Sequence, residues 1–398
     1  MRFGAFIAPF HGLGDNPTLA LERDMQLIEH LEQLDFDEAW VGEHHSSGVE
    51  IIGSPELFIA AAAQRTRRIR LGTGVNSLSY HHPFILADRL VQLDHQTRGR
   101  IMFGVGPGQL PSDAFMMGLD PVQQREMMAQ SLDAIVQLLE GRVVTVDAGW
   151  FKLSEARLQL LPYQAPRMEM AIACTATPSG PYLAGRHGLS MLSVAASSAA
   201  GFAALPDHFR IAEEAAAENA RTTSRASWRV VAPVHVAETR DKAIAELAAG
   251  VLPNIVNYLR RVGGAPMLQL LDGVHTAERA IQAWEGPGFG PFGVLTLGTP
   301  DDVAAKIEQL QAKSGGFGTF LILAQNSAGW EATRRSYELF ARYVAPRFQH
   351  SDHRTQSLDF AEQNSERFIG AMVKGIDQTL VKHQRFLGPQ SPTEDPKA

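Results

Sequence analysis

The run VGEHHSSG, residues 41–48, sets a carboxylate and two imidazoles side by side as Glu43, His44 and His45. Three chemistries compete for them. Metal binding fits poorly, because neighbours on an extended strand point to opposite faces and seldom share one ion. The helical spacing usual for two histidine ligands is also absent. The second reading is structural, with one histidine held by hydrogen bonds in a supporting layer. The third is a catalytic or substrate-facing His44, since imidazole titrates where proton transfer needs it.

Further along, FGVGPG (103–108) resembles half of a glycine-rich phosphate loop, or simply a strand that turns sharply. In ATPSGPYLAGRHG (176–188), Thr177, Ser179 and Gly180 precede a helix that starts near Pro181. Exposed N–H groups and the helix dipole make such a start an anion site. Plain N-capping uses the same residues. Arg186 adds positive charge there unless its helical position turns it outward. In GTGVN (72–76) the small residues let a flat ring approach the backbone. If these segments face one cavity, they suit a phosphate-bearing cofactor.

The elements that must position them are short apolar runs separated by helical stretches. The runs are 2–10, 38–45, 69–76, 99–108, 169–176, 189–196, 228–238 and 317–325. Continuous rather than alternating apolar character implies burial on both faces and a parallel sheet. Eight such units predict a closed (β/α)8 barrel, with a doubly wound open sheet as runner-up. Helices are expected at 16–34, 54–66, 82–97, 121–141, 181–188, 202–220, 239–263, 300–315 and 330–348. A hairpin is expected over 143–158, a loop over 286–293 and a helix-like piece over 357–386. The barrel spans 1–348. Residues 349–398 form a helical extension with a frayed polar tail, PQSPTEDPKA, and can pack on a neighbouring subunit. In such a barrel the site lies at the C-terminal strand ends. There the chain collects Pro9-Phe10-His11, Glu43-His44-His45, Gly74-Val75-Asn76, Gly106 to Gln109, Thr175-Ala176-Thr177 and Gln325-Asn326.

Composition narrows the class. The chain has 398 residues, 45% hydrophobic and 20% charged, enough for a sizeable core. A net charge of -7 argues against a general nucleic-acid binder. One cysteine, Cys174, rules out an internal disulfide framework and suits a reducing cytoplasm. The start MRFGAFIAPF lacks the features of a signal peptide, and no run reaches about 18 apolar residues, so no membrane span is expected. No GxGxxG opens a helix after a strand, so no nicotinamide fingerprint is present.

The segments AWVGEHH, RLGTGVNSLSYHHP, LVQLDHQTRGRIMFGVGPG and ATPSG...LAGRHGL resemble the bacterial-luciferase-like flavin-dependent monooxygenases in order and spacing. LGTPDDVAAKIEQLQ and GGFGTFLI extend the resemblance to about residue 348. ALERDMQLIEHLEQLDFDEAWVGEHHSSG, SPELFIAAAAQRTRRIRLGTGV and GVGPGQLPSDAFMMGLDP are especially similar to the limonene monooxygenase branch. The resemblance implies a (β/α)8 TIM barrel, a homodimer, and reduced flavin from a separate NAD(P)H-dependent flavin reductase. The flavin is usually FMN, with FAD possible. O2 adds at its C4a atom, and the resulting (hydro)peroxide oxygenates an organic molecule.

Carried over residue by residue, His44 falls on the catalytic histidine, with Glu43 or His45 setting its tautomer. Gly74 and Val75, followed by Asn76, fall under the flavin ring. The family often has a cis peptide at that step, which costs about 3–4 kcal/mol. Gly106, Gly108, Gln109 and Leu110, with Thr177, Ser179 and Gly180, fall on the phosphate segments. Pro107 departs from the family by replacing a phosphate-binding arginine, so neutralisation must come from elsewhere, Arg186 being one candidate, or flavin is held loosely. Phe10, Leu78, Phe115, Met116 and Met117 either line an apolar substrate pocket or belong to the core. The expected reaction is epoxidation or hydroxylation of a small apolar, terpene-like molecule. Baeyer–Villiger oxygenation of a cyclic ketone, deazaflavin-dependent hydride transfer, and a non-enzymatic flavin-binding role are the alternatives.

Overall fold

The computed structural model describes residues 1–286, 288–289, 293–349 and 352–386. The tail PQSPTEDPKA and part of the 286–293 loop lie outside the described residues. The chain divides after Phe348 into two compact units.

In the first unit, eight parallel strands close into a barrel: Arg2–Ile7, Glu38–Val41, Arg70–Thr73, Ile101–Gly106, Met170–Cys174, Ser190–Ser193, Arg229–Ala232 and Thr319–Ala324. The first and last pair in register from Arg2↔Thr319 to Ile7↔Ala324, which closes the ring. All eight apolar runs are therefore strands of a closed barrel. The ladders stop short of the sequence reading, at Ile7, Val41, Thr73, Gly106 and Cys174. Beyond those points the backbone leaves the ladder and bends into rim loops, which places its polar residues at the mouth.

Alternation sorts each strand into two faces. Phe6, Trp40, Met102, Ala171, Leu192, Val231 and Leu321 fill the barrel interior. The intervening residues, such as Ile7, Val41, Phe103 and Phe320, pack outward under the helices. The N-terminal end of the barrel is plugged by charge. The fully buried Arg229 donates from Nε and Nη2 to the two oxygens of Glu38, at 2.7 and 2.9 Å, and pairs with Glu169 at 2.7 Å. Trp40 Nε1 donates to Glu38 at 2.9 Å. This buried ion-pair cluster fills that end of the barrel, and the open chemistry is left to the other rim.

The helices start where their caps predict. Asn16 accepts from the Thr18 and Leu19 N–H groups with Pro17 in the first turn. Ser54 caps Pro55–Arg65, and Thr299 with Asp302 forms a capping box on Pro300–Ser314. The expected hairpin pairs Val144–Asp147 with Lys152–Ala156, antiparallel. The single helix expected over 239–263 is broken. Arg240–Gly250 passes through a wide π-type turn, Val251–Val256, into Asn257–Val262. Pro253 lies in that turn and cannot supply a helical N–H.

Two short helices, Gly264–Leu270 and Ala277–Glu285, follow, neither expected from the sequence. With a small parallel pair, Val234–Val236 against Thr296–Gly298, they build a second apolar cluster. That cluster includes Phe10 and Val49 from the rim loops, so the insertion packs onto the mouth of the barrel. Phe10 meets Tyr258 at 5.0 Å between ring centres.

Among the described residues, the second unit holds two α-helices, Asp352–Gln363 and Ser365–Lys382. Among the described residues, no helix is long and apolar enough to cross a membrane.

Candidate active site

The rim segments meet as the barrel topology requires. Asn76 and Ser77 pair with Val105 and Gly106, and the Ser77 N–H donates to Glu43 Oε2 at 2.6 Å. A Cβ on Gly106 would sit 2.6 Å from Val75 Cγ2 and 3.8 Å from Ala173 Cβ. A Cβ on Gly180 would sit 2.9 Å from the Ala173 carbonyl. His44, Gly74, Gly106 and Thr177 therefore belong to adjacent positions on one rim.

Around His44 the structure adds partners the sequence did not show. Nδ1 lies 3.3 Å from Asp113 Oδ2, and Nε2 lies 3.6 Å from Glu50 Oε1. Burial opposes charge on this ring, but Glu50 and Asp113 together raise its pKa from 6.5 to about 9. Neither Glu43 nor His45 sets its tautomer. Those two stand on the same face and bond each other, His45 Nε2 donating to Glu43 Oε1 at 3.1 Å. His81 Nε2 donates to the same oxygen at 2.6 Å. Burial works to raise the Glu43 pKa, yet the bonds from His45 and His81 hold it below the ordinary value. Glu43 is thus a clasp between the second strand and the segment after the third.

Asp113 arrives on a short helix, Pro111–Met116, and also accepts from the His45 N–H at 3.2 Å and from the Ser46 hydroxyl. The same helix turns Phe115 and Met116 outward, 83% and 65% exposed, and Met117 follows, less exposed. They are surface, not core. Phe10 and Leu78 are the reverse. Each is fully buried and exposes nothing to solvent or cavity, because Leu78 packs into the main core and Phe10 into the insertion's cluster. Neither lines a pocket in this structure.

The Gly74–Val75 peptide is trans; among the described residues only Ala165–Pro166 is cis. The Gly74 N–H bonds the Val41 carbonyl at 2.6 Å, and the chain rejoins the sheet at Asn76, so the segment bends without a cis step. Val75 packs on the interior cluster. Asn76 is fully buried, and neither Oδ1 nor Nδ2 has a hydrogen-bond partner. Gln325, at the end of the eighth strand, is buried in the same condition. Unpaired buried amides are costly, and one that offers both a donor and an acceptor matches the carbonyl and N–H pattern of a flavin pyrimidine edge.

After the fourth strand, the Pro107 carbonyl is tied down by Ser79 Oγ at 2.7 Å and Gln124 Nε2 at 3.1 Å. Gly108 follows at φ +85°, where a side chain would be strained. Gln109 is exposed, and Leu110 caps the Asp113 helix. Thr177 and Ser179 are exposed, their hydroxyls 3.2 Å apart, at the start of the helix Ser179–His187. Hydroxyls and free N–H groups there fit a phosphate. Arg186 does not serve it. It lies seven residues along that helix, about 10 Å at 1.5 Å per residue, and pairs with Asp133 at 3.2 Å.

The sequence is matched over residues 1–316 by the family model for luciferase-like monooxygenases. It is 46% identical to limonene 1,2-monooxygenase of Rhodococcus erythropolis over 87% of this chain and 86% of that one. It is 44% identical to 4-hydroxyprotoasukamycin monooxygenase of Streptomyces nodosus subsp. asukaensis, over 88% and 93%. The fold is similar to the oxygenating constituent of 3,6-diketocamphane monooxygenase from Pseudomonas putida, a type II Baeyer–Villiger enzyme solved with FMN. There the TM-score is 0.69 at 22% identity, covering 87% of this chain and 98% of that one. The chain belongs to the luciferase-like monooxygenases, and it is an oxidoreductase of that family.

Proposed function

We propose that this enzyme takes reduced flavin from a separate NAD(P)H-dependent reductase and uses O2 to place one oxygen atom in a small apolar, terpene-like molecule, by epoxidation or hydroxylation. The observation that carries the reading is the buried, unpaired amide of Asn76 beside Val75, on the rim that also holds His44. Reduced flavin, when bound, supplies the electrons that activate O2.

The chain's own residues do the rest. Val75 offers an apolar step to a ring, and Asn76 offers a donor and an acceptor to its polar edge. Thr177, Ser179 and the helix start behind them hold a phosphate through hydroxyls and N–H groups, without a guanidinium. Such a site holds flavin weakly, which suits a cofactor that arrives from another protein. The protonated His44 is ready to give a proton. This favours electrophilic oxygen transfer to a carbon–carbon double bond over the anionic oxygen that insertion beside a ketone requires. Phe115 and Met116 give apolar surface on the helix that carries Asp113. FMN is the preferred flavin, and a cytoplasmic homodimer completes the reading, the location resting on the single buried Cys174.

The test supplies enzyme with FMN, an unrelated flavin reductase, NADH and limonene under heavy-isotope oxygen. Product carrying one labelled oxygen, and none without O2, is expected. Product formed anaerobically with a reduced deazaflavin, or no flavin binding at all, would overturn the reading.

A further inference from the structure

The loop between the second strand and the next helix is anchored on both sides of Glu50. The His44 N–H donates to the Ile52 carbonyl at 3.2 Å, and Ser47 and Gly48 turn at positive φ. From the first strand's end, His11 grips Val49. Its backbone N–H and its Nδ1 both donate to the Val49 carbonyl, at 3.2 and 2.9 Å. The buried Asp24 holds the other ring nitrogen of His11 at 3.0 Å. These anchors deliver the largely buried Glu50 carboxylate to the Nε2 side of His44, opposite Asp113 on the Nδ1 side. Among the described residues, His44 is the ion-pair partner of Glu50, and no lysine or arginine shares it. Neutral imidazole carries one N–H; only imidazolium presents N–H groups toward carboxylates on both edges.

We propose that Glu50 is a positioning residue which, facing Asp113 across the ring, holds His44 as an imidazolium in the resting enzyme, so that His44 enters turnover as a proton donor. The last step rests on the oxygenase reading; the charge state does not. The other titratable groups around the ring act in both directions. Glu43 adds to the negative field at His44. His45 and His44 repel each other's charge. The Glu50 carboxyl stands above its ordinary pKa, pushed up by burial and by Asp113 against the pull of His44 and His11. Tyr258, bonded to Ser47, keeps its proton beside Glu50 and Asp113.

The test is a pH titration of the histidine rings by nitrogen-detected NMR, in flavin-free full-length protein. His44→Gln assigns the signal. His44 is expected to titrate near 9 in the native enzyme. In Glu50→Gln it is expected to fall by a unit or more, an at least tenfold change in the imidazolium-to-imidazole ratio. An unchanged titration overturns the proposal. Asp113→Asn provides a second arm that leaves Glu50 itself and its His11–Val49 anchor in place. There His44 is expected to stay above the ordinary 6.5 because Glu50 remains, and a return to 6.5 overturns the proposal. The alkaline limb of the kcat profile is expected to move with the NMR value in each variant. Because the titration needs no flavin, failure of the oxygenase reading leaves it readable.

Discussion

Glu43→Gln tests whether the clasp at the rim is what shapes the segment beneath the proposed flavin. The carboxylate is buried and receives three donors: the Ser77 N–H and His81 Nε2, both at 2.6 Å, and His45 Nε2 at 3.1 Å. Bonds to a charged acceptor contribute about 1.5–3 kcal/mol each, against about 0.5–1.5 for neutral ones. Each bond therefore weakens by about 1 kcal/mol on amidation. The two imidazoles are partly solvated, with side-chain exposures of 24% and 16%, which trims their share. A net loss of about 2 kcal/mol is expected, a sizeable part of the roughly 5–15 kcal/mol available to a domain. Urea unfolding should show a lower midpoint with an unchanged slope. The held carboxyl lies below its unfolded pKa, so its contribution is present above the unfolded value and lost as pH falls through the folded one. The stability gap between wild type and variant should therefore narrow in acid. Since Ser77 follows Asn76 directly, affinity for reduced FMN should fall as well. A variant within about 0.3 kcal/mol of wild type, with flavin affinity unchanged, would refute the clasp.

Three further outcomes are expected. Arg229→Met strands the buried Glu38 carboxylate and should cost about 3–5 kcal/mol by urea unfolding; Arg229→Met with Glu38→Gln should cost much less than the two single changes summed. The raised pKa of His44 adds stability of up to about 3 kcal/mol, fully present below pH 6.5 and lost as pH rises through about 9. Unfolding midpoints measured across that window should decline, and Glu50→Gln should flatten the decline. Replacing both Phe115 and Met116 by serine should leave stability within about 0.5 kcal/mol, as these are exposed sites, while raising KM for apolar substrates severalfold with little change in kcat.

The barrel was legible because its strands are buried on both faces, so runs such as RFGAFI and TFLILA are apolar without alternation. Their C-terminal ends were legible as sites because polar and glycine residues gather where each run stops. The partners of His44 were not legible. Asp113 lies 69 residues away, and nothing local marks it. Glu50, like His81 on Glu43, sits in a loop whose path only the fold fixes. One error was avoidable. Period-two alternation already sets Glu43 and His45 on one face and His44 on the other, so the first two pair and neither orients the third. Leu78 and Phe115 show the limit of apolarity as a signal, since one is sealed in the core and the other is almost fully exposed. The broken 239–263 helix followed from Pro253, a residue whose helical cost is known.

The most direct test is the crystal structure of the enzyme soaked anaerobically with reduced FMN. The ring is expected against Val75, with its polar edge paired to Asn76, its phosphate at Thr177 to Gly180, and His44 beside the reacting face. A ring bound elsewhere, or a phosphate held away from that helix start, would contradict the account.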